Sequence, residues 1–218
     1  MRKTILVTMI ALLTFVGKAY AEMSYGISVA ATKIDASGTE TEGGEKNNGD
    51  AENHLLIPSL FVEYSMSDTI SVGLDYIPLS ADVSSKTEKR TETETSVTGT
   101  VTTTTTARTQ TAQAELTNHL TLYANYSLSD TFYLKGGVAM VELDTTESLD
   151  TGSKYPSEDI YGAVLGIGSQ TGNSRFELIY TDYEDISLKS SVARTGVTTN
   201  NTIDADLDTL AFKYSYVF

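Results

Sequence analysis

From residue 22 onward, apolar and polar side chains alternate one by one, and eight segments carry that period-two pattern. The last is the cleanest: Leu210, Phe212, Tyr214, Tyr216 and Phe218 share one face, and Ala211, Lys213, Ser215 and Val217 share the other. The second sets Leu56, Pro58, Leu60, Val62, Tyr64 and Met66 against Ile57, Ser59, Phe61, Glu63 and Ser65, and the third sets Ile70, Val72, Leu74 and Tyr76 against Ser71, Gly73 and Asp75. In the fourth, Leu116, Leu120, Leu122, Ala124 and Tyr126 oppose Glu115, Thr117, His119, Thr121 and Asn125. In the fifth, Phe132, Leu134, Val138 and Met140 oppose Tyr133, Lys135, Gly137 and Ala139. Segments one (Tyr25, Ile27, Val29, Ala31) and six (Tyr161, Ala163, Leu165, Ile167) agree, and the seventh is regular at Phe176, Leu178 and Tyr180 before an expected bulge. No segment carries a helical period, and no run of 18 apolar residues occurs in this region.

Turn chemistry orders these strands. Tyr64-Ser-Met-Ser-Asp-Thr-Ile70 and Tyr126-Ser-Leu-Ser-Asp-Thr-Phe132 are near copies of one tight turn, and Thr171-Gly-Asn-Ser174 is a third. The other connections are long and polar, with apices expected at Gly43-Gly44, Gly99, Gly152 and Gly196. Folding the chain about Thr98-Gly99 pairs Thr69 with Leu128 and levels the two copied turns. Short turns at one end and long loops at the other are the layout of a bacterial transmembrane barrel. The fold class expected is all-β, an eight-stranded antiparallel up-and-down transmembrane barrel.

Residues 1–21 read as an export signal: Arg2 and Lys3, an apolar core over Thr4 to Gly17, then Ala19-Tyr20-Ala21 before cleavage. The apolar stretch is too short for a bilayer of about 30 Å. Without cysteine the chain has neither a lipid-anchored thiol nor disulfides. Loss of Arg2, Lys3 and Lys18 would take the net charge from −14 to −17, which disfavours nucleic acid and, unless divalent cations bridge, anionic surfaces. A soluble barrel also alternates, with its apolar face inward. The aromatic residues beside the short turns (Tyr64, Tyr126, Phe132, Phe176, Tyr216, Phe218) favour an interfacial girdle and hence a membrane.

The signal, the eight strands, the alternation of short turns with longer loops, and the ending Tyr214-Ser-Tyr216-Val-Phe218 resemble the small OmpA/OmpX-type outer-membrane barrels. The resemblance implies residence in a Gram-negative outer membrane, contact with its lipid and lipopolysaccharide, and a monomer. It also implies that Tyr214, Tyr216 and Phe218 form the signal read by the outer-membrane assembly machinery. A glycine frequent five residues before the end is Lys213 here.

The charges expected to point inward are Glu63, Asp75, Glu115, Lys135, Glu177 and Lys213. Two lysines and two glutamates (Glu63, Lys135, Glu177, Lys213) fall at similar heights, where they would pair in a lumen only wide enough for side chains. That network reads as a satisfied polar plug, or as a gate that passes small ions by exchanging partners. His54 and His119 lack a neighbouring nucleophile and acid, and no spacing suggests a metal or cofactor site, so no enzyme is expected. Gly162, Gly166 and Gly168 share one face, where small residues let the interior pack. The threonine-rich, low-complexity segment 86–111 has a composition compatible with disorder, but threonine favours strands and a Thr98-Gly99 turn centres the segment, so the preferred reading is a hairpin continuing strands three and four above the membrane. The 81–114 hairpin is then the place for a surface or protein partner, by strand addition, or it is a solvated spike. The expected role is structural or adhesive; a narrow pore is the alternative, and a lipid-modifying enzyme comes third.

Overall fold

The computed structural model describes residues 23–42, 45–84, 88–92, 95–98, 101–104, 108–148, 154–191 and 200–218. The expected export signal and the glycine apices at 43–44, 99, 152 and 196 lie outside the described residues. The strands are β1 (Met23–Glu42), β2 (Glu45–Ser65), β3 (Ile70–Ile77), β4 (Ala81–Asp82), β5 (Glu88–Glu92), β6 (Thr95–Thr98), β7 (Val101–Thr104), β8 (Arg108–Ser127), β9 (Phe132–Ser148), β10 (Glu158–Thr171), β11 (Ser174–Tyr183), β12 (Ile186–Lys189) and β13 (Thr202–Val217). Eight of them, β1, β2, β3, β8, β9, β10, β11 and β13, pair in that order, each antiparallel to the next, and β13 pairs back onto β1 from Gly26↔Val217 to Thr41↔Thr202. The sheet is closed. The described residues contain no helix.

The short-turn rim follows from sequence. In both copied turns the first residue after the strand donates its N–H back to the first residue of the next strand: Met66 to the Ile70 carbonyl (2.9 Å) and Leu128 to the Phe132 carbonyl (2.8 Å). Ser67 and Ser129 then turn their hydroxyls back to accept from the N–H of Ile70 and of Phe132, both at 3.1 Å. The third turn places Gly172 at φ +56°, the left-handed conformation that a two-residue hairpin needs at its first position. Bonds between neighbouring turns lace the rim together: Ser127 N–H to Thr69, Gln170 N–H to Thr131, Val217 N–H to Asn173. The register places Ile70 beside Tyr126, so Thr69 sits beside Ser127 and not Leu128, one residue from the expected pairing. At the opposite end β1 and β2 stay paired to Glu42↔Glu45, so a long hairpin stands where a long loop was expected. The 81–114 region is likewise a hairpin in its described parts, with β5 paired to β8 and β6 to β7.

The alternation sorts cleanly in three dimensions. Tyr25, Ile27, Val29, Leu60, Leu122, Leu134, Val138, Leu165, Leu178, Leu210 and Phe212 all face outward and are exposed. Around the short-turn rim, Tyr126, Phe132, Phe176, Tyr216 and Phe218 add an exposed aromatic ring. Only a hydrocarbon surround removes the cost of so much apolar surface, and only a closed ladder is tolerated there.

Inside, every large aromatic on the lumen face packs over a glycine that is its direct cross-strand partner. Phe61 opposes Gly26, Tyr123 opposes Gly73, Tyr133 opposes Gly168 and Tyr183 opposes Gly162. A Cβ at Gly168 would lie 2.1 Å from the Tyr133 ring, and one at Gly73 would lie 2.4 Å from that of Tyr123. The glycines make room for rings that fill a narrow tube.

One irregularity changes the interior. In β8 the register to β9 slips between Thr117 and Leu120, and Asn118 takes φ +53°. Below this bulge Thr121, Tyr123 and Asn125 point inward; above it the phase flips. Leu116, expected on the lipid face, is therefore buried inside at 6% exposure. Glu115, expected inside, lies on the opposite face and accepts a hydrogen bond from Ser80 Oγ (3.1 Å). The seventh strand keeps its alternation through Tyr183, breaks at Glu184-Asp185, and resumes as β12 with Ile186 and Leu188 buried. The three buried ion pairs thus lie in the short-turn half of the lumen. The other half holds an apolar core of Ile34, Leu116, Val141, Ile160, Val164, Tyr183 and Leu207.

Leu122 lies mid-height on the lipid face at 40% exposure. Arginine at the midplane of such a barrel costs about 2–4 kcal/mol. Leu122→Arg should destabilise the barrel by that amount in folding titrations into lipid vesicles, whereas His54→Arg at the exposed outer rim should cost under about 1 kcal/mol. Equal costs at the two positions would mean that the apolar belt does not face lipid.

Candidate functional site: a charge-neutral plug between two lumen cavities

The inward charges come together from five strands of the tube. Glu63 on β2, Asp75 on β3, Lys135 on β9, Arg175 and Glu177 on β11, and Lys213 on β13 are all buried. They form three ion pairs. Arg175 grips Glu63 with two nitrogens, Nη1 to Oε2 at 2.8 Å and Nη2 to Oε1 at 3.2 Å. Lys135 Nζ lies 2.5 Å from Glu177 Oε1, and Lys213 Nζ bonds Asp75 Oδ2. Three cations meet three carboxylates, so the cluster is formally neutral.

Sequence reasoning placed Glu63, Asp75, Lys135, Glu177 and Lys213 in the lumen but assigned Glu63 a lysine. Its partner is Arg175, which directly follows the tight turn and precedes the segment's clean alternation. Phase could have found it: Arg175 shares parity with Glu177, two residues on.

Neutral donors complete the carboxylates' shells. Glu63 accepts from Tyr123 Oη (3.1 Å), Asn125 Nδ2 (2.9 Å) and Ser71 Oγ (3.0 Å). Glu177 accepts from Tyr133 Oη at 2.7 Å. Arg175 gives two further donors to Gln170 Oε1, with Nε at 2.9 Å and Nη2 at 2.8 Å. The aromatic rings cover the cations: Lys135 Nζ is 3.9 Å from the Tyr123 centroid, and the Arg175 guanidinium is 5.0 Å from that of Phe61. A buried ion pair is tolerated only when its lone pairs and protons are spent in this way.

The plug separates two cavities. Toward the short turns lies a polar vestibule of about 240 Å³ bounded by Glu63, Arg175, Tyr133 and the rim residues Ser129 and Asp130. On the other side lies a largely apolar cavity of about 100 Å³ with Asp75, Lys135, Tyr123 and Lys213 at its polar end and Ile34, Leu116, Val164 and Tyr183 along its wall. The cluster is the partition of the barrel.

The remaining expected positions are elsewhere. Tyr214, Tyr216 and Phe218 sit on the outer face, where Phe176 packs on Tyr214 (centroids 5.1 Å apart) and Phe218 stacks on Tyr25 (5.5 Å). Phe218 N–H donates to the Tyr25 carbonyl, so this aromatic patch covers the seam where β13 meets β1. His54 is exposed at the outer rim beside Glu52, 3.0 Å away, while His119 points inward and its Nε2 lies 3.0 Å from Tyr183 Oη. Among the described residues, no three His, Cys, Asp or Glu side chains converge as metal ligands.

No family model and no curated protein matches the chain. Solved structures do. Outer membrane protein AlkL, determined in DMPC bilayers, shares 14% identity over 93% of this chain and 93% of its own, with a TM-score of 0.50. Ail, the attachment invasion locus protein of Yersinia pestis, shares 11% over 90% and 99%, with a TM-score of 0.46. At such identity the likeness to AlkL concerns the fold alone. Closed eight-strand topology, an apolar belt and an aromatic rim define an integral β-barrel of the outer membrane. Within that class the architecture is that of the small OmpA/OmpX-like barrels.

Lys135→Met would strand Glu177 beside Lys135's former site, and breaking a buried pair costs about 3–5 kcal/mol. In folding titrations Lys135→Met should show a loss of that order. Adding Glu177→Gln should recover about 1–3 kcal/mol, whereas adding Glu63→Gln should recover nothing because Glu63 is held by Arg175. Equal rescue by either glutamine would mean that the pairs exchange partners.

Proposed function

We propose that the protein is a non-enzymatic, monomeric outer-membrane barrel whose work is done by the hairpins standing outside the membrane. The observation that carries this reading is the mismatch between strand length and membrane thickness. A bilayer needs roughly 9–11 tilted residues per strand. β1 and β2 have 20 and 21, and β8 has 20. About half of each rises beyond the apolar belt, away from the short turns, and a fully bonded plug occupies the tube below. Energy spent on extended, paired strands outside lipid favours a role for those strands as a surface. The backbone pairing of β5 with β8 leaves β5 with an edge suited to adding a partner strand. Residues 86–111 carry four basic and three acidic side chains, so the acidity of the chain as a whole is not concentrated in this hairpin. The seam patch of Tyr214, Tyr216 and Phe218 suits contact with the assembly machinery during insertion.

A narrow pore is the second reading, favoured by the two cavities that meet at the plug. It requires the three ion pairs to part. Planar-bilayer recordings of the intact barrel should show no unitary steps; steady steps that grow in Lys135→Met would favour the pore. For the surface role, replacing residues 86–111 by a Gly-Ser-Gly linker should preserve the strand spectrum and the heat-dependent gel shift. Adhesion of expressing cells to extracellular-matrix and polysaccharide coatings should fall at least tenfold. Unchanged adhesion would remove the hairpin from the function.

A further inference from the structure

The barrel wall has a window. The β2–β3 ladder runs from Ser65↔Ser71 to Leu60↔Tyr76 and stops there, although β2 extends fifteen residues further, to Glu45, and stays paired to β1 over that length. Continuing the register places Pro58 opposite Pro78. Neither can donate a ladder hydrogen bond, and a proline pair is a firm stop for a sheet. Beyond it the chain rejoins the barrel as β4, which pairs with β8 and not with β2. The two sides are bonded again where Asn53 Nδ2 donates to the Asp82 carbonyl (2.9 Å), and the Asn53 Oδ1 accepts from the His54 N–H (2.9 Å). The window therefore spans Pro58 and Pro78 between a floor at Leu60–Tyr76 and a lintel at Asn53–Asp82.

Its height is that of the outer half of the lipid belt. Leu56, Leu60, Tyr76 and Leu79 frame it and are exposed, Leu56 at 75%. Behind it lies the apolar cavity of about 100 Å³, whose lining includes Ile57 and Ser59 from one jamb and Ile77 and Leu79 from the other. Two polar atoms on this lining are sealed from solvent and bonded to no protein group: His119 Nδ1 and Ser59 Oγ. His119 is held in place through Nε2 by Tyr183 Oη. Two unpaired polar atoms in an apolar chamber are a costly arrangement without a ligand group between them.

We infer that this chamber is a binding site for a neutral amphiphile with a hydroxyl head, an alcohol or phenol, that enters sideways from the outer leaflet. A hydroxyl both donates and accepts, so it can pair with His119 Nδ1 in either tautomer or with Ser59 Oγ. A carboxylate is disfavoured, because the one cation at the cavity's polar end on β13, Lys213, is already held by Asp75, and Lys135 by Glu177. The size fits a head and not a whole lipid: an apolar cavity of about 150 Å³ holds benzene, so about two-thirds of that volume takes a few-carbon head while the tail passes through the window. Leu56, Leu60 and Leu79 then cover the tail.

The chain's two histidines allow a direct test in lipid nanodiscs. With ¹⁵N-histidine labelling, 1-octanol should shift the His119 imidazole signals saturably and leave those of His54 unchanged. n-Octane, equal in chain length but without the hydroxyl, should bind at least tenfold more weakly. Ser59→Ala should weaken octanol about tenfold with His119 still reporting, and Pro58→Val with Pro78→Thr, which lets the ladder close, should slow octanol exchange at least fivefold. Equal, non-saturating responses of both histidines, or equal effects of octanol and octane, would mean membrane partitioning only and would overturn the site. No response at His119 would overturn it as well. Fast exchange persisting in the proline double variant would overturn lateral entry.

Discussion

The structure depends first on closure of the backbone ladder. Hydrocarbon offers no partner to an amide, so a chain without an apolar helix can cross a membrane only if every strand finds two neighbours. Here the pairing of β13 with β1 over sixteen positions supplies the last edge, and the aromatic patch around Phe218 covers that seam. Where the β2–β3 ladder stops within the apolar belt, two prolines stand in register. Three prolines occur in the whole chain, and two of them share that level. An interruption so placed is specified by sequence, and the Asn53 side chain bonds across it to Asp82.

A closed tube of eight strands then imposes a filling problem. Its interior admits side chains and nothing wider, so the inward residues must interlock. The solution uses two chemistries stacked along the axis. In the short-turn half, cross-strand glycines receive aromatic rings, and the rings in turn cover and hydrogen-bond a neutral set of three ion pairs. Tyr123 serves both purposes: it fills the space over Gly73, lies against Lys135, and donates to Glu63. In the outer half, branched aliphatics fill the tube, and the mismatch between the two fillings leaves a chamber with two unpaired polar atoms. The plug partitions the lumen, with the windowed chamber and the tall hairpins on its far side from the short turns.

Much of this was legible in the sequence. Alternation at period two fixed which side chains meet lipid, because successive residues of a strand point to opposite faces regardless of what lies around them. The copied turns were legible as well, since serine hydroxyls and a glycine at positive φ act within four residues. Long-range pairing was not. That Arg175 and Glu63 meet across 112 positions, or that Lys213 reaches Asp75 and leaves Glu177 to Lys135, depends on shear and on strand heights set by the whole barrel.

Phase was the other limit. A period-two pattern carries its own parity only while the ladder is regular, and one residue in the left-handed conformation, Asn118, reverses it. Beyond that point Leu116 passes from lipid to core and Glu115 from core to rim, which turns the outer lumen apolar. Sequence by itself determined eight strands, their lipid face below the bulge, the turn rim and five of the six charges of the plug, all properties of local periodicity and local hydrogen bonding. Tertiary structure decided the pairing of those charges, the change of lumen chemistry at the bulge and the window between the facing prolines, because each requires residues distant in the chain to arrive at one height of one closed sheet.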